Sequence, residues 1–225
     1  MSHQFITRQI HIAVDLMREY GMQRFVMDIL PWLFNRSYSF YKQPIQNESL
    51  DTLCRVPFSL RLVQKSDLDN IVSLRPRFYC LSSLRERLEN GHLGFLACFE
   101  KKPIHIRWGF VHSFQIPYLN RTLTLESHDI YIDEAYTTPA YRRMGVYSHA
   151  GYLMRQILRQ LDYRRLVCAF PSWDIPGQKV AARNGLKKIG EGGYRSFFGH
   201  RSFFWNGKIQ ERSNGNIFLE TKEPI

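Results

Sequence analysis

The stretch with the most chemical content runs from Ile130 to Leu161. It opens with Ile130-Tyr131-Ile132-Asp133-Glu134-Ala135-Tyr136-Thr137, which reads as a strand ending at Thr138-Pro139. Ala140-Tyr141-Arg142-Arg143-Met144-Gly145-Val146-Tyr147-Ser148 follows. From there Val146, Ala150, Leu153, Met154, Ile157 and Leu161 keep helical spacing, with Arg155 and Arg159 on the opposite face. A strand that feeds a helix through a basic turn presents unpaired backbone N–H groups and the positive end of the helix dipole. A pyrophosphate is the natural guest of such a turn, and Gly145, having no side chain, would let it approach closely. Two carboxylates precede the turn. Strand alternation puts Glu134 with Ile130, Ile132 and Tyr136, and Asp133 with Tyr131 and Ala135. A carboxylate among isoleucines loses hydration and its pKa rises toward neutrality, which favours Glu134 as a proton acceptor. The alternative is that one of the two is ion-paired to a neighbouring arginine.

A second segment follows. Arg164 to Phe170 has the pattern of a buried strand, closed by Pro171-Ser172. Asp174-Ile175-Pro176-Gly177-Gln178 then starts a short helix, with Pro176 in its first turn and Gly185 at its C-terminal cap.

Residues Tyr136 to Tyr147 resemble motif A of the GNAT acyltransferases. Pro139, Arg142 and Gly145 stand at that motif's intervals, while Arg143 replaces a common glycine and Tyr147 replaces the usual second Gly or Ala. Asp174 to Lys187 resembles motif B of the same superfamily, with Asp174 where Asn is usual, Gly177 where Ser is usual and Leu186 where Phe is usual. The resemblance spans residues 58 to 212, with detail only between 130 and 190.

That resemblance implies an α/β (α+β) fold, with a mixed, mostly antiparallel central sheet flanked by helices. Two central strands would splay apart to admit pantetheine. It implies acetyl-CoA or another acyl-CoA as co-substrate, no metal, and direct attack by an amine or hydroxyl of a small-molecule acceptor. The cofactor contacts carried over are Tyr136, Thr137, Arg142, Arg143, Met144, Gly145, Val146, Tyr147 and Ser148 at the turn, with Asp174 and Gln178 in the second motif. Glu134 or Asp133 would take the acceptor's proton, and backbone N–H groups around Ala135 to Thr137 would hold the thioester oxygen. The tyrosine that often serves as general acid falls at Ala181, which leaves Tyr147, Tyr136, Tyr194 or water for that role. Trp173 is a candidate wall of the pantetheine channel, and His149 is read as structural.

The remaining sequence bounds these readings. The chain has 225 residues, 44% of them hydrophobic and 14% aromatic, enough for one sizeable core. A net charge of +11 attracts polyanions, whether nucleic acid, acidic lipid or a phosphate-rich cofactor. No RNA-binding signature accompanies it, so a basic RNA- or ribosome-associated protein is a secondary alternative. A non-catalytic GNAT-like module that binds acyl-CoA is another, as is a transferase using longer chains or acyl carrier protein as donor. Four separate cysteines without a CxxC pair read as reduced thiols, and eight scattered histidines give no metal pattern. With no secretory start and no long apolar run, the chain is expected to be cytoplasmic without a membrane span. Nothing sets its oligomeric state. Residues 1–55 are expected to form a helical N-terminal extension, 56–212 the acyltransferase domain and 213–225 a C-terminal tail. Within the extension, the aromatic stretch Phe25 to Phe34 is expected to dock on the sheet, the alternatives being an acyl pocket or peripheral membrane contact.

Overall fold

The computed structural model describes residues 35–46, 53–76, 78–116, 119–197 and 200–220, with a few positions between 14 and 26. Strands β1 (Ser37–Pro44), β2 (Ser59–Leu62), β3 (Leu93–Phe99), β4 (Lys102–Phe110), β7 (Asp129–Thr137), β8 (Arg165–Pro171), β9 (Lys187–Phe197) and β10 (His200–Gly207) form one sheet. Its order is β10-β9-β1-β8-β7-β4-β3-β2, and every pairing is antiparallel except β7 with β8. Strands β5 (Ser113–Ile116), β6 (Arg121–Thr124), β11 (Ile209–Glu211) and β12 (Asn216–Leu219) make a second sheet of four strands. The longer described helices are α1 (Leu68–Leu74), α2 (Leu81–Glu89), α3 (Val146–Gln160) and α4 (Ile175–Arg183), beside a three-residue helix at Met22–Arg24 and single 3-10 turns at Lys65–Asp67 and Pro139–Tyr141. This is the mixed, mostly antiparallel sheet with flanking helices that the resemblance implies.

Burial separates the two faces of the large sheet. On one face Ile130, Ile132, Phe95 and Cys168 pack with Met154 and Leu158 of α3. On the other, Tyr131, Trp108, Leu96 and Val167 pack with Leu68, Ile71 and Leu84 of α1 and α2 and with Leu123 and Ile217 of the second sheet. The amphipathic register of α3 follows from its sequence. Val146, Ala150, Gly151, Met154 and Leu158 are its buried residues.

Two segments depart from expectation. Ser37–Pro44 lies inside the stretch expected to be helical, yet it is a strand with neighbours on both sides, pairing Phe40 with Ala169 of β8 and with Gly190 of β9. Its Ser, Lys, Gln and Pro content hides it, because β propensity reports fit to a half-buried surface and this strand is set by its partners. Asn216–Leu219, expected in a tail, pairs in parallel with β6 and buries Ile217. The helical readings at Ile6–Tyr20 and Phe25–Phe34 fall outside the described residues apart from isolated positions.

Candidate active site

Strands β7 and β8 are paired only at Asp129↔Arg165, Ile130↔Leu166 and Tyr131↔Val167. Arg165 Nε bonds Asp129 at 2.5 Å at this closed end. Beyond Tyr131 and Val167 the two strands continue, but each keeps only its outer neighbour, β4 for β7 and β1 for β8. A wedge therefore opens in the middle of the sheet, with backbone groups on its rims that have no ladder partner across the gap. Thr138 N–H donates to Ile104 of β4, so the alternate residue Thr137 faces the wedge, where its carbonyl accepts from Arg142 Nε at 3.0 Å.

The carboxylates stand at the mouth of this wedge, but not as alternation predicts. The β4–β7 register runs Trp108↔Asp133 and then Ile106↔Tyr136, so β7 carries a bulge at Glu134 and Ala135, and Glu134 has φ 52°. The parity of the strand changes across the bulge: Ile130 and Ile132 face α3, whereas Tyr131 and Tyr136 both pack on the α1–α2 face. Glu134 is consequently not sequestered among the isoleucines. Its two oxygens accept from Arg87 Nη1 and Nη2 of α2, each at 2.8 Å, so the ion pair that was the alternative reading holds for this residue. Asp133 is the carboxylate with the perturbed titration. Enclosure by protein, and secondarily the charge of Glu134, push its pKa up to about 7, against the opposing pull of the Glu134 backbone N–H and Arg87. Tyr79 lies on the same side, its hydroxyl 3.4 Å from the Glu134 carbonyl.

The turn after β7 has the expected chain order. Gly145 adopts φ 83°, α3 starts at Val146, and Arg143 is also left-handed at φ 62°. Among the described residues, the N–H groups of Met144 to Ser148 meet no acceptor. The role assigned to Gly145 needs correction, however. A Cβ there would collide with the Leu53 carbonyl oxygen and come within 3.1 Å of Cys54 Cα, so its bareness accommodates this chain's own crossing segment.

Sequence reasoning missed the residues under the turn. His105 is fully buried on β4, with Nδ1 2.7 Å from Thr137 Oγ1, and desolvation holds its pKa well below the usual histidine range. Arg107, 6% exposed, faces the bulge from β4. Its Nη2 is 3.4 Å from the Tyr147 carbonyl and its guanidinium carbon 4.2 Å from the centre of the Tyr147 ring, while Nε has no partner. Tyr147, in the first turn of α3, thus rests against Arg107 and His105 of β4. The signal was present in Ile104-His105-Ile106-Arg107-Trp108, where two basic residues alternate with large apolar ones in a strand that is otherwise core.

The second-motif candidates are used structurally. Asp174 caps α4 by accepting from Gly177 N–H at 3.1 Å. Gln178 donates to the Pro171 and Ser172 carbonyls, each at 3.2 Å, and accepts from Tyr41 at 3.0 Å, tying α4 to β8 and β1. Tyr136 packs on the α1–α2 face under Arg75 and Arg142. Tyr194 lies on β9, separated from β8 by β1, and is buried against Phe203, which removes it from the wedge. A recess of about 520 Å³ bounded by Ser37, Glu191, Arg195, Ser202 and Asn206 lies on that same edge and includes neither the carboxylates nor the turn. Among the described residues no cluster of His, Cys, Asp or Glu could hold a metal ion, and no helix is long and apolar enough to cross a membrane.

No protein-family model matches the sequence. No curated protein is similar to it either. Solved structures with a similar arrangement include an aminoglycoside N-acetyltransferase in complex with CoA, at 16% identity and a TM-score of 0.47, covering 64% of this chain and 98% of that one. A predicted acetyltransferase with acetyl-CoA from Clostridium acetobutylicum is similar at 15% identity and a TM-score of 0.43, covering 59% of this chain and 91% of that one. A functionally unknown conserved protein from Staphylococcus epidermidis matches at 12% identity and a TM-score of 0.48 over 79% of this chain, which spans 63% of that protein. The sheet, its wedge and the glycine turn of this chain occur in the order the two sequence motifs imply, while the bulge in β7 is not expected from them.

Proposed function

We propose that the protein transfers an acyl group from acyl-CoA to an amine or hydroxyl of a small-molecule acceptor. The observation that carries this reading is the wedge between β7 and β8, which runs directly into a basic turn whose amides have no acceptor among the described residues. A pantetheine arm carries amides of its own that can pair with the open rim formed by Ala135 to Thr137, and its pyrophosphate suits the N–H groups of Met144 to Ser148. Arg107 fits the same ligand. A guanidinium buried to this degree without a carboxylate partner is costly unless an anion or a developing negative charge lies within its field. Asp174 and Gln178 do not fit as ligand contacts, since both side chains are engaged within the protein.

In the reaction, Asp133 accepts the proton of the attacking amine as the carbon–nitrogen bond forms, a role suited to a pKa near 7. The rim N–H groups receive the charge that develops on the thioester oxygen. The carbon–sulfur bond then breaks and the thiolate takes its proton from water, because Ala181 offers no donor. Glu134 orients Arg87 and maintains the field around Asp133 without acting as the base. Calorimetry with CoA and acetyl-CoA tests the binding half, and thiol release across an acceptor panel tests the transfer. A folded protein that binds neither thioester nor free CoA would sink the proposal.

A further inference from the structure

Strand β1 stands between β8 and β9, whereas β2 closes the far edge of the sheet, and the described ends of the chain joining them, Ile45 and residues 53–58, both pack on the face that α3 covers. Where that connection is described before β2, it lies along the start of α3. Val56 packs with Ala97, Ile104 and Val146, and Phe58 meets His149 edge-on at 5.2 Å. At the turn itself the contact is main chain to main chain. Arg55 N–H donates to the Met144 carbonyl at 2.9 Å, and the Leu53 carbonyl fills the space that a side chain on Gly145 would need. The connection is therefore a strap clipped to the same turn whose amides lack acceptors.

Charge accumulates at this clip. Arg55, Arg142 and Arg143 are exposed around the turn, and Arg107 is buried beneath the first turn of α3 with its Nε unpartnered. Among the described residues none of the four forms an ion pair with a carboxylate, and the exposed Arg55 side chain has no hydrogen-bond or ion-pair partner. Basic side chains at the positive end of a helix, with no carboxylate partner among the described residues, favour an anion there. The planar fork of arginine matches phosphate oxygens in pairs.

We propose that the strap is a working part of the acyl-CoA site and that Arg55, held at the turn by its own backbone hydrogen bond, binds a phosphate of the ligand. This rests on the reading that the turn takes CoA. It ties the cofactor to the N-terminal strand, because the residue that grips the phosphate lies on the connection leaving β1.

The test is calorimetric titration of the intact chain and its Arg55→Ala variant with CoA, dephospho-CoA and pantetheine. The variant should melt at the wild-type temperature without ligand, since only an exposed side chain with no hydrogen-bond or ion-pair partner is removed and the Arg55 backbone bond is kept. Its Kd for CoA should rise about tenfold, the usual loss for one charge-assisted phosphate contact, while pantetheine binding stays the same. A loss shared by dephospho-CoA assigns the contact to the pyrophosphate, and a loss confined to CoA assigns it to the ribose phosphate; either supports the proposal. Unchanged CoA affinity in the folded variant, or equal weakening of pantetheine, would overturn it. If the wild type binds no CoA, the functional reading itself falls, an outcome distinct from wild-type binding that Arg55→Ala leaves intact.

Discussion

Replacing Asp133 by Asn gives a prediction that needs no knowledge of the acceptor. The folded protein holds this carboxyl near pH 7, whereas in the unfolded chain it titrates near the ordinary aspartate value of about 3.9. Between those values the folded state binds the proton that the unfolded state has released, so stability falls as pH rises through this window. A shift of that size corresponds to an upper bound on the order of 4 kcal/mol, at about 1.4 kcal/mol per pH unit. Asn cannot ionise in either state. The stability of Asp133→Asn relative to the wild type should therefore be flat below about pH 4, climb to about pH 7, and level off above it. Urea denaturation midpoints at half-unit pH intervals read this, because titrating groups that do not interact with Asp133 cancel in the difference. Parallel wild-type and variant curves across the window would show that Asp133 is not held protonated and would remove the physical basis for making it the base. With an acceptor in hand, the same variant should lose about two to four powers of ten in turnover and the acidic limb of its pH profile.

Glu134→Gln keeps the side chain's size but weakens the paired hydrogen bonds to Arg87, and should cost about 1–2 kcal/mol in urea denaturation. Because the Glu134 charge helps raise the Asp133 pKa, the Asp133 transition should also move to lower pH in this variant, and an upward movement would contradict that account. Gly145→Ala puts a Cβ into the Leu53 carbonyl at a residue with φ 83°, and should destabilise by at least about 2 kcal/mol. A neutral result would mean that the strap separates readily from the turn.

What could be read from the chain alone is local. Gly145 after two arginines, the apolar spacing that begins at Val146, Pro176 in the first turn of α4 with Gly185 beyond its end, and the strand before Pro139 each depend on neighbours within a few residues, and each is found in place. Leu161, at the end of that spacing, is nevertheless exposed. The two motifs in their order are enough to indicate the sheet and its wedge. The facing of Asp133 and Glu134 is different. Period-two alternation holds only while the ladder is regular, and the extra residue in β7 exists because Ile106 and Trp108 on another strand set the register on either side of it. The Arg87 partner of Glu134 lies 47 positions away, so no local pattern announces it. The same reason hides Ser37–Pro44, whose mixed aromatic and polar sequence becomes a central strand because β8 and β9 both offer it an edge. The connection that leaves it comes to the turn after β7, so Leu53 and Arg55 reach Gly145 and Met144 by topology, without any pattern in their own sequence.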